Sequence, residues 1–126
     1  MYIIDEETGD MTIRQGDSFE LTIEGIPSDK EYDVYFSIYD LKRNILFELK
    51  ETPVDGVVTF KITPALSNLL TVPTTQKTAL YYWSVKRCYE PDNFEDTLLV
   101  GNKEVKDLNK VLVYPLNVEG AENANS

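Results

Sequence analysis

Tyr32-Asp33-Val34-Tyr35-Phe36-Ser37-Ile38-Tyr39-Asp40 alternates without a break. Tyr32, Val34, Phe36 and Ile38 fall on one face, and Asp33, Tyr35, Ser37 and Tyr39 on the other. Successive side chains of a strand point to opposite faces, so one apolar phase at period two marks a strand with one buried face. The same period recurs on both sides of this stretch. Phe19, Leu21 and Ile23 alternate with Glu20, Thr22 and Glu24. Val58, Phe60 and Ile62 alternate with Thr59 and Lys61. Ala79, Tyr81, Trp83 and Val85 alternate with Leu80, Tyr82, Ser84 and Lys86.

Turn residues separate these runs. Gln15-Gly16-Asp17 divides a short strand, Met11 to Arg14, from the Phe19 strand, which Gly25-Ile26-Pro27-Ser28-Asp29 closes. Leu41-Lys42-Arg43-Asn44 leads as a hairpin loop into a strand over Ile45–Lys50, and Pro53 to Gly56 separates that strand from one over Val57–Ile62. Pro91-Asp92-Asn93 precedes a strand over Thr97–Val100, and a last strand runs from Val111 to Val118 with Pro115 near an edge or bulge. Thr63-Pro64-Ala65-Leu66-Ser67-Asn68-Leu69-Leu70 does not alternate. Thr63 as N-cap and Pro64 in the first turn predict one helical turn crossing between sheets, with Leu66 and Leu69 or Leu70 plugging the core.

Seven or eight short strands at spacings near ten residues predict an all-β chain, an immunoglobulin-like antiparallel β-sandwich with one short helical turn between sheets. Its core should include Phe19, Leu21, Ile23, Val34, Phe36, Ile38, Val58, Phe60, Tyr81, Trp83 and Val85. The expected layout is a polar N-terminal arm over 1–10, the sandwich over 11–118 and a polar tail over 119–126.

With 126 residues the chain makes one domain, since domains average about 150 residues. Twelve Lys and Arg against 22 Asp and Glu give a net charge of −10. This argues against a nucleic-acid partner, because such affinity rests on neutralising phosphates, and against docking on anionic lipid. The first residues, Met1-Tyr2-Ile3-Ile4-Asp5-Glu6-Glu7, lack the basic and apolar regions of a secretory signal, and no apolar run is long enough for a membrane helix. There is no histidine, which removes the commonest general base and metal ligand. One cysteine excludes an internal disulfide and the multi-cysteine zinc motifs. No Gly-x-Gly-x-x-Gly, P-loop or Gly-x-Ser-x-Gly pattern occurs. The expectation is a non-enzyme without cofactor or small-molecule substrate.

Four features still offer chemistry. Glu90, Asp92, Asn93, Glu95 and Asp96 crowd one loop and present oxygen ligands of the kind Ca²⁺ takes. Their spacing does not fit an EF-hand and the loop lacks a glycine, so the plain reading is a solvated hairpin tip. Asp5, Glu6, Glu7 and Asp10 read the same way. Cys88 follows Lys86 and Arg87, whose charge could lower a thiol pKa, or it is an ordinary strand-end cysteine. Arg14 could pair with a carboxylate of a neighbouring subunit or be a plain surface charge.

The tyrosines weigh most. If Val34, Phe36 and Ile38 face the core, Tyr35 and Tyr39 face out, and if Trp83 faces in, Tyr82 faces out. Neighbouring strands would then gather Tyr35, Tyr39 and Tyr82, flanked by Lys86, into one outer patch. Tyrosine suits an interface because it adds apolar area and a hydrogen-bonding tip at low entropy cost. Equally, cross-strand aromatic pairs stabilise an exposed sheet.

The order Thr12-Ile13-Arg14-Gln15-Gly16-Asp17, Gly56-Val57-Val58-Thr59-Phe60, Leu80-Tyr81-Tyr82-Trp83-Ser84-Val85, Leu98-Leu99-Val100-Gly101 and Val111-Leu112-Val113-Tyr114-Pro115 resembles the small immunoglobulin-like modules of tailed-phage virions. The N-terminal domain of phage upper baseplate proteins is similar. The resemblance covers about residues 11–118. It implies a non-catalytic structural subunit, an adaptor or decoration protein of capsid, neck or baseplate, made in the bacterial cytoplasm and placed in the virion. Its partners would be other virion proteins and possibly itself. The alternative is a carbohydrate- or receptor-binding β-sandwich module.

Overall fold

A computed structural model describes residues 1–98 and 109–116. Nine strands lie within them: β1 (Tyr2–Ile4), β2 (Met11–Arg14), β3 (Phe19–Ile23), β4 (Asp33–Tyr39), β5 (Ile45–Glu51), β6 (Val58–Ile62), β7 (Ala79–Tyr89), β8 (Phe94–Leu98) and β9 (Asn109–Tyr114). One helical turn, α1 (Pro64–Ser67), joins β6 to β7. The chain is an all-β sandwich. The large sheet runs β1-β2-β9-β7-β4-β5, with β8 also on β7, and β3-β6 is the small sheet. Consecutive strands cross from β3 to β4, back from β5 to β6, and over again through α1, the connectivity of an immunoglobulin-like sandwich.

Alternation places the core as the sequence predicts. Val34, Phe36, Ile38, Phe60, Trp83 and Val85 are fully buried, with Phe19, Leu21, Val58 and Tyr81 nearly so. Ile23 is only half-buried, because it ends β3 at an open flank. Met11, Ile13, Ile26, Phe47, Ile62, Leu70, Val111 and Val113 complete the interior. Phe36 lies at the centre, its ring 5.6 Å from Phe60 and 5.8 Å from Trp83.

Four expectations change. The polar arm over 1–10 is instead part of the sandwich: Tyr2–Ile4 pairs antiparallel with β2, and the Tyr2 ring stacks on Phe19 at 4.8 Å. Three residues are too short a run for alternation to stand out before Asp5-Glu6-Glu7. The sandwich is not wholly antiparallel, since β2 pairs parallel with β9, Met11 opposite Val111 and Ile13 opposite Val113. Side-chain period carries no strand direction, so nothing in the pattern could reveal this. The strand expected over Thr97–Val100 begins earlier, at Phe94, because it pairs with the end of β7 through Tyr89–Phe94. Leu99, Val100 and Gly101 lie outside the described residues. The last strand ends at Tyr114, just before Pro115, while Val118 and the tail over 119–126 lie outside the described residues.

The helical turn forms as the sequence reads. Thr63 caps it, accepting from the Leu66 N–H at 3.3 Å, and Pro64 opens it. Leu70 is buried and Leu66 half-buried, whereas Leu69 points out. Fully buried Ser67 locks the turn to the β2–β3 corner: its Oγ accepts from the Gly16 N–H at 2.9 Å and donates to the Arg14 carbonyl at 3.4 Å. Gly16 holds φ +88°, and a Cβ there would sit 2.8 Å from Leu116 Cδ1.

Ser67→Ala would leave the Gly16 amide and Arg14 carbonyl without this partner. The expected cost is about 1–3 kcal/mol. It is read as a lower urea midpoint at unchanged slope.

Candidate functional site: an aromatic sheet face

The four candidate residues share the outer face of the large sheet. Tyr39 of β4 lies directly opposite Tyr82 of β7, their ring centroids 6.4 Å apart. Tyr35 lies directly opposite Lys86. Between the two pairs sits the Ser37–Ser84 rung, and nearly buried Ser37 donates to Glu48 Oε2 at 2.6 Å. The site is thus one face with two parts, an aromatic pair and a Tyr–Lys pair.

The aromatic pair extends into an apolar band. Register carries the row from Tyr39 to Ile45 on β5, and the next row runs Leu80, Leu112, Thr12, Ile3 across β7, β9, β2 and β1. Ile3 and Ile45 are each 59% exposed, and Leu80 and Leu112 are half-buried. Leu80 and Leu112 occupy the outward phase of their strands, so the alternation already carried the signal that tyrosine counting overlooked. Lys110 borders the band beside Tyr82.

The outer face of the small sheet is unlike it. Glu20 opposes Lys61 and Thr22 opposes Thr59, the two threonine hydroxyls 3.0 Å apart. One face is dressed for water and the other carries a row of apolar side chains.

Beside Tyr35 the sheet dips into a shallow depression of about 560 Å³ lined by Tyr35, Glu48, Lys86, Cys88, Glu90, Asn93 and Glu95. Lys86 Nζ lies 3.1 Å from Glu95 Oε1, and this hydrogen bond holds its pKa above the ordinary lysine value. The Cys88 thiol pKa is raised, by burial first and by Glu95 next, with only partial relief from Lys86. The suggestion that Lys86 and Arg87 lower the thiol therefore fails: Lys86 is turned to Glu95, and Arg87 lies on the opposite phase of β7. Raised, not lowered, is the direction expected of a thiol among carboxylates.

The acidic loop is drawn onto cations. Asp92 pairs with Lys30 at 3.3 Å, Glu95 with Lys86, and Asp96 with Arg87 at 3.0 Å. Around them lies a cluster the sequence did not announce. The Arg87 guanidinium stands 4.8 Å from the Tyr32 ring and 5.5 Å from Phe94, and Lys30 Nζ 5.0 Å from Tyr89. These contacts staple the β7–β8 hairpin to the loop before β4. Desolvation, then the hydrogen bond to Asp29, pushes the Tyr32 hydroxyl pKa up. Arg14 is engaged within the chain, donating to the Pro115 carbonyl at 3.0 Å with its guanidinium 5.9 Å from the Tyr114 ring. In the other acidic segment, Asp5 accepts from the Glu7 amide and Asp10 from the Lys110 amide, which ties the β1–β2 turn. Among the described residues no three Asp, Glu or Cys side chains gather as around a metal ion. No helix among them is long and apolar enough to cross a membrane.

Compared with protein-family models and with curated protein sequences, the chain matches none.

Cys88 offers a direct check on this electrostatic picture. The midpoint of its alkylation rate against pH should lie above that of the urea-unfolded chain, because less thiolate exists at any given pH. Glu95→Gln should move the folded midpoint down.

Proposed function

We propose that the chain is a non-catalytic structural subunit that acts by assembly, docking a partner on the outer face of its large sheet. One observation carries this reading: the contrast between the apolar band Ile3, Leu112, Leu80, Tyr82, Tyr39, Ile45 and the Glu, Thr and Lys face of the small sheet. Aromatic residues are enriched at protein interfaces, and burial of such a band is where docking free energy would come from. The resemblance of the sequence motifs over about residues 11–118 to small virion modules of tailed phages suggests the setting: an adaptor or decoration protein of capsid, neck or baseplate, with other virion proteins as partners. The net charge of −10 favours basic protein surfaces over packaged DNA.

A second reading, a carbohydrate-binding module, draws on the depression beside Tyr35, where Glu48, Asn93 and Glu95 offer hydrogen-bonding groups around an aromatic ring.

Density-gradient sedimentation of the source lysate separates the two. The proposal expects the chain to travel with particles at fixed stoichiometry. Tyr39→Glu with Tyr82→Glu should then abolish incorporation, a loss of about 2 kcal/mol or more, as for interface anchors. The purified variant should keep its circular dichroism spectrum. A chain that stays at the top of the gradient as a free monomer overturns the proposal and directs the search to glycans.

A further inference from the structure

The flank where β1 meets β3 is built unlike the rest of the molecule. After Gly16 the chain changes sheets, so β2 pairs with β9 and not with its successor β3. Among the described residues β3 therefore pairs only with β6, and β1 only with β2. Two strand edges border the same gap, one from each sheet. Between them runs a groove of about 510 Å³ lined by Tyr2, Ile4, Asp5, Glu6, Glu20, Leu21, Thr22, Ile23 and Glu24. That volume lies within the range of sites that accept a few side chains.

The groove has an apolar floor and an acidic rim. Leu21 is buried, while Tyr2, Ile4 and Ile23 are only half covered. The Tyr2 ring, stacked parallel on Phe19, closes one end. Asp5, Glu6, Glu20 and Glu24 supply four carboxylates to the lining, and among the described residues no Lys or Arg joins them. Along β3, alternate residues direct their N–H and C=O toward the unpaired side. Backbone groups, apolar pockets and a single sign of charge thus share one site.

We propose that this groove receives an extended segment of a partner protein, with basic residues alternating with apolar ones, which adds as a third strand to the free edge of β3. Added strands take affinity from main-chain hydrogen bonds and specificity from pockets for alternate side chains. Here apolar side chains would complete the burial of Tyr2, Ile4 and Ile23, and basic ones would meet the rim. Five residues of β3 offer about 17 Å of edge, the span of a five- or six-residue strand. Charge argues against a second copy as occupant, because it brings a net −10 to an acidic rim. The groove shares no residue with the aromatic face, and the inference does not rest on that reading.

The test uses a capped heptapeptide of alternating lysine and valine, together with a block peptide of the same composition. Two further versions are N-methylated on one or the other set of alternate residues. The inference expects the alternating peptide to bind and to protect amides of Phe19–Ile23 from hydrogen exchange. One N-methylated version should lose affinity by about tenfold or more and the other should retain it, since only one phase faces β3. Glu6→Lys with Glu24→Lys, both at exposed positions, should weaken binding about tenfold without unfolding the chain.

Equal binding of both N-methylated peptides, or of the block peptide, overturns the proposal, as does no binding at millimolar peptide. Protection confined to Leu80–Lys86 assigns the peptide to the aromatic face and overturns it too. A dimer in the absence of peptide with β3 already protected shows that a second copy is the occupant. Loss of the groove would leave the particle-sedimentation result standing, and the reverse also holds.

Discussion

A tryptophan that must be both dry and hydrogen-bonded sets the terms for this fold. Trp83 is fully buried at the middle of β7, beside Phe36, and its indole N–H needs an acceptor there. The Gly9 carbonyl supplies it at 2.9 Å across 74 positions of sequence. That bond requires the β1–β2 turn to lie over the end of the core. The turn in turn aligns β1 on β2 and β2 on β9. A polar-looking N-terminal segment is therefore part of the core's hydrogen bonding. Both the apolar band, which begins at Ile3, and the acidic groove, which begins at Tyr2, descend from the same contact.

The strands that pack across the sandwich were the legible part. In β6 and β7 the buried residue is the apolar one at each step, and in β4 nearly buried Ser37 is the one departure, so period two reports the face directly. The outward phase was legible too at Tyr35, Tyr39 and Tyr82, and register then paired Tyr39 with Tyr82 and Tyr35 with Lys86. Whatever depended on distant segments meeting was not legible. Lys30 reaches Asp92 across 62 positions, and nothing local to either marks that approach. β1 is three residues long and precedes three acids, so its alternation has no length in which to declare itself. The parallel pairing of β2 and β9 is invisible for a different reason: a strand's side chains look alike in either direction.

The two sheets divide the surface chemically. The small sheet keeps charge and hydroxyls outward, which suits a face that stays wet, and it leaves its β3 edge open over a carboxylate-lined gap. The large sheet puts leucine and tyrosine outward and spends its cations on neighbours, Lys86 on Glu95 and Lys50 on Asp33 at 3.7 Å. Surfaces of different character thus lie on different sides of one small domain.

The strand pairing also fixes how the domain carries a mechanical load. Tyr2 lies opposite Ile13, and Tyr114 opposite Arg14, so both outer ends of the described chain emerge at the same end of the sheet. Tension applied through them first peels β1 from β2, one residue pair after another. The pull then reaches the far end of β2, where it acts along the strand against β9. Parallel neighbours drawn in opposite directions slide, so the four pairs from Met11–Val111 to Arg14–Tyr114 must yield together. A domain pulled along its chain would give up its first strand early, keep its core, and hold at that clamp.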